Sequence, residues 1–140
     1  MYFYKFYIKF VKENLNKKSN ILIMDIVKFK SEVETLKKFF EIYCVNKHKN
    51  QEKISTILNY KNEEVIIELN LCKECNKKIN YSFGRLLECP HEEKPRCRTC
   101  PSPCYEKKQW KEVAGIMRYS GMSLGLTHIN KKFKSIFKKQ

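Results

Sequence analysis

The sequence predicts a small, mainly α-helical domain organised around a cysteine-rich, metal-binding loop. Apolar residues recur at three- and four-residue spacings in several segments, which is typical of amphipathic helices. Six of the seven cysteines and all four prolines fall between Leu71 and Tyr105. No segment shows the alternation that a sheet of several strands would require. A chain of 140 residues is long enough for one domain with a modest core.

Residues 1–23 are predicted to be an N-terminal extension, and residues 24–140 a single cysteine-rich helical domain. The extension is dense in aromatic residues but has neither helical nor strand periodicity. We expect that translation naturally begins at Met24, the alternative being that the extension is an amphipathic surface anchor. Lysines interrupt every apolar run, so neither a secretory signal nor a membrane span is predicted. The protein is therefore expected in the cytoplasm, where paired cysteines favour metal binding over disulfides.

The first predicted helix starts at Ser31, because Ser31 and Glu34 fit a capping box. Its apolar face has spacings of four, three, four and three, and comprises Phe29, Val33, Leu36, Phe40 and Tyr43. Cys44 lies on the edge of this face and is interpreted as a small buried side chain, the alternative being an extra metal ligand. His48 follows one turn later and could face the same way, but its polar neighbours favour a solvated side chain.

The segments before the cysteine loop are harder to assign. Residues 46–62 are polar and predict a loop or a weak helix, and residues 63–71 predict either a helix or a short strand. A second helix is predicted over residues 74–87. Cys72 and Cys75 lie at its start, where free N–H groups and the helix dipole lower thiol pKa values and favour metal binding.

The segment from Cys89 to Cys104 is a proline-punctuated loop without an apolar core of its own, so a metal is expected to hold it. His91 lies in this loop beside charged residues and is interpreted as solvated. A third helix is predicted from Glu106 to a C-terminal cap at Gly121. A fourth helix is predicted over residues 124–137.

The cysteine pattern predicts a metal site whose candidate ligands are Cys72, Cys75, Cys89, Cys97, Cys100 and Cys104. Two Cys-x-x-Cys pairs, at 72–75 and 97–100, have nearly the spacing of a structural zinc site. In that case the remaining two cysteines complete a second site or stay free. An iron–sulfur cluster is the rival, because Cys97-x-x-Cys100-x-x-x-Cys104 together with Cys89 supplies four thiolates. Zinc and an iron–sulfur cluster both remain open.

Several motifs spread between Phe39 and Gly121 are specific in combination. They are Ile42-Tyr43-Cys44 with Lys47-His48, Leu71-Cys72-x-x-Cys75, Cys89-Pro90, Cys97-x-x-Cys100-Pro101, Cys104-Tyr105 and Met117-Arg118-Tyr119-Ser120-Gly121. On these motifs the chain resembles the bacterial nitrous oxide-stimulated promoter family. The resemblance implies a small cytosolic protein that is expressed during nitric oxide stress, and it brings no catalytic residues. Pro103 stands where the family has a histidine, which leaves the cysteines as the whole site.

The predicted function is that of a metal-binding protein of the nitrosative stress response, non-enzymatic or of unknown activity. No Ser–His–Asp set, phosphate-binding glycine loop or carboxylate pair stands out in the sequence. A thiol oxidoreductase is disfavoured, because the alternating strands and helices expected around a redox Cys-x-x-Cys are missing.

The alternative function is a nucleic-acid-binding regulator with a structural metal site. The formal net charge is +14, and the four arginines, Arg85, Arg96, Arg98 and Arg118, lie in or near the cysteine segment. A lysine-rich C-terminal helix would add phosphate contacts. However, abundant lysine, asparagine and isoleucine are also typical of an AT-rich genome. We therefore expect weak, non-specific binding to nucleic acid, and no other partner is predicted.

Overall fold

The computed structural model describes residues 24–91, 95, 97–101 and 103–137, with side chains described as far as Gly125. The predicted N-terminal extension, residues 1–23, lies outside the described residues. The elements in chain order are α1 (Ile26–Lys47), β1 (Glu52–Tyr60), β2 (Glu63–Leu71), α2 (Lys73–Leu87), a 3-10 turn (Cys97–Thr99) and α3 (Lys107–Phe137).

The prediction of a mainly helical domain is wrong, because a two-stranded antiparallel hairpin stands between α1 and α2. Every second residue of each strand faces the core, with Leu58 and Tyr60 buried on β1 and Ile67 and Leu69 buried on β2. This is the period-two pattern of a half-buried strand. The strands are hard to recognise in the sequence because Ile57 and Ile66 occupy outward positions, at 57% and 66% exposure, and so interrupt the apolar–polar alternation.

The turn of the hairpin consists of Lys61 and Asn62, whose φ angles are 49° and 63°. Two consecutive positive φ angles are what a tight hairpin turn requires. Asparagine adopts this conformation readily, whereas lysine does so at some cost. The turn places Tyr60 opposite Glu63, and the ladder ends with Glu52 opposite Leu71. The hairpin thus returns the chain to the level at which it left α1.

Helix α1 begins before the predicted capping box, at Ile26. Asp25 caps it, since its side-chain Oδ1 accepts a hydrogen bond of 2.8 Å from the backbone N–H of Lys28. The predicted apolar face is confirmed: Phe29, Val33 and Phe40 are buried, as the seven-residue repeat of this face requires. Cys44 is buried as well, at 0% exposure.

The predicted break between a third and a fourth helix is wrong, because α3 runs without interruption from Lys107 to Phe137. The expected cap, Gly121, has no positive φ angle and lies inside the helix. With no proline between residues 107 and 137, nothing removes a backbone donor there, and one glycine costs only about 1 kcal/mol in a helix. The apolar face that helical spacing predicts for the fourth helix, Ile129, Phe133 and Ile136, lies outside the described side chains.

The core lies between the inner face of the hairpin and the three helices. Phe29 of α1 stacks on Tyr60 of β1 with ring centroids 4.0 Å apart. The Tyr60 hydroxyl donates a buried hydrogen bond of 2.6 Å to the Met24 carbonyl. At the other end of α1, the hydroxyl of Ser120 on α3 donates to the carbonyl of Phe39 at 2.6 Å. Hydrogen bonds thus hold α1 to β1 just before its start and to α3 in its second half. These contacts position the C-terminal end of α1, where the site lies.

Candidate metal centre

Four potential metal ligands meet where α1 ends and α2 begins. The core cluster consists of Cys44, His48, Cys72 and Cys75, whose ligand atoms all lie within 4.8 Å of one another. Its three cysteines are buried and His48 is half-buried. Within the described ranges this is the one group of at least three such residues with so close an arrangement.

Helix α1 supplies two of the four ligands. Cys44 and His48 are four residues apart, so they lie on one face of the helix end. His48 is the C-cap residue of α1, and its backbone N–H donates to the Cys44 carbonyl at 2.8 Å. The side-chain amide of Gln51 donates to the carbonyls of Cys44 (3.1 Å) and His48 (3.0 Å), which ties the following loop to the helix end.

Helix α2 supplies the other two ligands, and its first turn is built from them. Cys72 is the N-cap residue, and its Sγ accepts a hydrogen bond of 3.4 Å from the backbone N–H of Cys75. The backbone N–H of Cys72 in turn donates to the Sγ of Cys44 at 3.2 Å. Free N–H groups and the helix dipole both stabilise negative charge at this position, so the site suits thiolates.

The two α2 thiols are placed in opposite electrostatic situations. Burial raises the pKa of Cys72, but hydrogen bonds from the Cys75 backbone and with the Cys44 and Cys75 thiols outweigh it, so the net pKa is lowered. Burial raises the pKa of Cys75 strongly, and the hydrogen bonds with Cys72 and Cys44 raise it further. A metal cation would offset the cost of holding several thiolates together here, because thiolates are the ligating form.

The spacing of the ligand atoms is compatible with one tetrahedral ion. His48 presents its Nδ1 atom, which lies 3.2 Å from the Sγ of Cys75 and 3.4 Å from the Sγ of Cys72. Metal–ligand bonds of about 2.0–2.3 Å place neighbouring ligand atoms of a tetrahedron about 3.5–3.8 Å apart. A small outward movement of these side chains would therefore admit an ion. The ring of Tyr43 packs edge-on against His48, with centroids 5.5 Å apart, and limits how the imidazole can turn.

The remaining cysteines lie elsewhere. Cys89, Cys97, Cys100 and Cys104, together with His91, line a cavity of 580 Å³ bounded by the three helices and the loop between α2 and α3. These five residues are called the cavity cluster. His91 is half-buried, and its Nε2 atom lies 3.3 Å from the Sγ of Cys100. The two Cys-x-x-Cys pairs of the sequence thus belong to different places in the fold.

Two residues of the core cluster were not among the predicted ligands. Cys44 is buried as expected, but it also faces the other thiols, so the alternative interpretation of it as an extra ligand applies. His48 is half-buried against Cys75 instead of solvated. The i, i+4 spacing of Cys44 and His48 is the sequence signal that could have identified the pair. The lysine and asparagine residues around His48 point instead to a solvated side chain. That all six predicted cysteines bind metal stays a prediction.

The fold and the core cluster together define a small α+β protein with a Cys₃His group able to hold a metal ion. The family model described as "Nitrous oxide-stimulated promoter" matches residues 27–140, and the chain belongs to this family. The resemblance in its motifs is thereby confirmed. No curated protein and no solved structure matches the chain significantly. None of the helices in the described part of the chain is long and apolar enough to cross a membrane.

Proposed function

We propose that this protein is a zinc-binding protein of the nitrosative stress response, with Cys44, His48, Cys72 and Cys75 as its zinc ligands. The observation that carries the proposal is the convergence of three sulfur atoms and one imidazole nitrogen within 4.8 Å, contributed by two separate helices. Four such ligands from distant parts of a chain rarely converge in a core without a shared partner, since buried polar groups require one.

Zinc is favoured over an iron–sulfur cluster at this site by the ligand set and its spacing. Three cysteines and one histidine form one of the closed tetrahedral sets that hold structural zinc. In an iron–sulfur cluster, several iron and sulfide atoms lie between the protein ligands. In the core cluster, by contrast, the four ligand atoms lie within 4.8 Å of one another. Cys44 and Cys75 are fully buried, so the site has little room for a bound water or a substrate at an open position.

The structural role of zinc here would be to reinforce the junction of three elements, which hydrogen bonds from Gln51 and from the Cys72 backbone N–H already connect. Cys44 and His48 end α1, and Cys72 links the end of β2 to α2. Structural zinc sites in small peptides have apparent binding free energies of about 10–16 kcal/mol, which become folding free energy. The protein is therefore expected to depend on its metal for part of its stability.

The stress-response part of the proposal rests on family membership, and the protein is proposed to act in the cytoplasm without catalysing a reaction. A reducing compartment keeps the cysteines available as metal ligands. The nucleic-acid alternative is supported by charge alone within the described residues, where Arg98 and Arg118 are exposed. Arg85 is engaged with Glu88 at 2.8 Å and lies over the Tyr81 ring. Arg96, Lys138 and Lys139 lie outside the described residues, and so do the side chains of Lys131, Lys132 and Lys134.

The first experiment measures zinc per chain in the purified full-length protein, alongside the H48N and K49A variants. His48→Asn removes one ligand, while Lys49→Ala changes an exposed neighbour outside the core cluster. We expect about one zinc at the core cluster of the wild type and of K49A, and a loss of that zinc in H48N. A wild-type protein that is free of zinc and still unfolds cooperatively would refute the zinc site.

The second experiment tests the biological part in a strain that lacks the gene. Wild-type protein, C72S and K49A are expressed at matched levels, and growth is followed during exposure to a nitric oxide donor. We expect rescue by the wild type and by K49A, and none by C72S. Equal rescue by C72S would separate the metal site from the stress response and refute the proposed function.

A further inference from the structure

We infer that Cys89, Cys97, Cys100 and Cys104 hold a second metal centre, an iron–sulfur cluster, in the cavity beside α2 and α3. This inference goes beyond the proposed function and does not depend on it. Every cysteine that the core cluster leaves unused lines this one cavity. The seven cysteines fall into two groups: three lie beside His48 in the core cluster, and four lie beside His91 in the cavity cluster. This division points to two sites of different chemistry.

The four thiols line one cavity but are more widely spaced than the core cluster, which among the described residues is the one group with ligand atoms within 4.8 Å of one another. Wide spacing fits an iron–sulfur cluster, because several iron and sulfide atoms lie between its cysteine ligands. Cys100 also contacts His91 of the same cavity, with 3.3 Å between its Sγ atom and the Nε2 atom of His91.

Both ends of the loop that carries these thiols are held against the helices. At one end the Cys89 N–H donates to the Leu86 carbonyl at 3.2 Å. At the other end the Tyr105 ring packs between Tyr81 and Trp110, at centroid distances of 5.6 and 5.5 Å. Within the described part between them there is one 3-10 turn, and none of its three residues is buried. A bound group that crosslinks the cysteines would fix this segment.

Two residues that line the cavity carry buried polar atoms without a hydrogen-bond partner among the described residues. The side-chain oxygen of Ser82 is fully buried, and neither it nor the Nε of Arg85 has a hydrogen-bond partner among the described residues. Both residues line the cavity. Leaving a buried donor unpaired costs about 1–3 kcal/mol. The sulfur atoms of an anionic cluster accept hydrogen bonds, and such bonds are known to tune these clusters.

Size and spacing favour a cluster over a second zinc ion. A cavity of 580 Å³ is far larger than one ion requires, given that a water molecule occupies about 30 Å³ in the liquid. Four cysteines are the usual ligand set of both two-iron and four-iron clusters, and the Cys97-x-x-Cys100-x-x-x-Cys104 run with nearby Cys-Pro steps resembles their spacing. The half-exposed cysteines also suit a centre assembled from solution.

The test uses the full-length protein, purified without oxygen and also reconstituted with ferrous iron and sulfide. We expect a brown protein with equal iron and sulfide, about two or four of each per chain, in addition to the zinc of the core cluster. The C97S/C100S double variant should lose the colour and the iron but keep its zinc. The K49A variant, which changes an exposed residue outside both groups of cysteines, should keep both metals.

A colourless wild-type protein after reconstitution, or one with zinc in both sites, would overturn the inference. So would iron retained by C97S/C100S. Because the wild-type spectrum and sulfide content decide the matter without any variant, a folding failure of the double variant leaves the test intact. The two proposals also fail separately: missing iron and sulfide refute the cluster, whereas missing zinc with iron present refutes the core zinc site.

Discussion

The Nδ1 atom of His48 lies 3.2 Å from the Sγ atom of Cys75, although 27 residues separate them in the chain. The contact exists because the β1–β2 hairpin carries the chain out and returns it to the end of α1. Replacing His48 should therefore affect metal binding through a geometry that only the hairpin creates.

The first prediction concerns zinc affinity. In H48N we expect the affinity of the core cluster for zinc to fall by more than about 100-fold, because even outer-shell partners of a ligand are worth 10–100-fold. Competition with a chromophoric chelator measures this, and K49A provides the comparison. An affinity in H48N within a few-fold of the K49A value would show that the imidazole is not a ligand.

The second prediction tests the hairpin and its register. Ile66 and Ile67 are adjacent on β2, but Ile67 is 2% exposed and Ile66 is 66% exposed. Ile67→Ala should lower the free energy of unfolding by about 2–5 kcal/mol, because it leaves a cavity in the core. Ile66→Ala should change it by less than about 1 kcal/mol, since only strand propensity is lost. Chemical denaturation of the zinc-loaded proteins measures both, and similar losses would indicate a register shifted by one residue.

The third prediction concerns alkaline pH. Burial, and then the nearby Cys89 and Asp25 charges, raise the pKa of Tyr60 above its ordinary value of 10.0. The folded state therefore holds this proton more tightly than the unfolded state. The stability that results is present below pH 10 and is lost as the pH rises from 10 through the folded-state value.

Comparing wild type with Y60F isolates this effect. Above pH 10 the free energy of unfolding should fall more for the wild type than for Y60F. As a control, the wild type and Y119F should differ less in this fall. At neutral pH, Y60F should be less stable by about 1 kcal/mol, because it removes the hydrogen bond to the Met24 carbonyl. Parallel pH profiles for wild type and Y60F would contradict the assigned role of Tyr60.

The fourth prediction concerns the N-terminal segment. A chain that begins at Met24 should bind zinc and should unfold with a stability close to that of the 140-residue chain. It keeps every candidate ligand, the Met24 side chain at 0% exposure and the Met24 carbonyl that Tyr60 contacts. Thermal unfolding of the two chains measures the difference. A drop of more than about 10 °C on truncation would assign residues 1–23 to the core, since about 1 kcal/mol shifts the midpoint of a domain this size by roughly 4 °C.

Features that depend on neighbouring residues could be predicted from the sequence. The apolar face of α1 and the position of Cys72 and Cys75 at the start of α2 follow from helical periodicity and from the chemistry of a helix N-terminus, which operate within one or two turns. The family could be identified for a similar reason, because its motifs are short and lie at fixed spacings.

What the tertiary structure decided is which of these local features meet. Cys72 and Cys75 could have joined either Cys44 and His48 or Cys97 and Cys100, and no local pattern distinguishes the two. The hairpin makes the choice, because pairing Glu52 with Leu71 returns the start of α2 to the end of α1. Exposed Ile57 and Ile66 on its outer face interrupt the alternation that would have revealed the strands in the sequence. Contacts between residues far apart in the chain depend on how whole elements pack, and periodicity within one element carries no information about that packing.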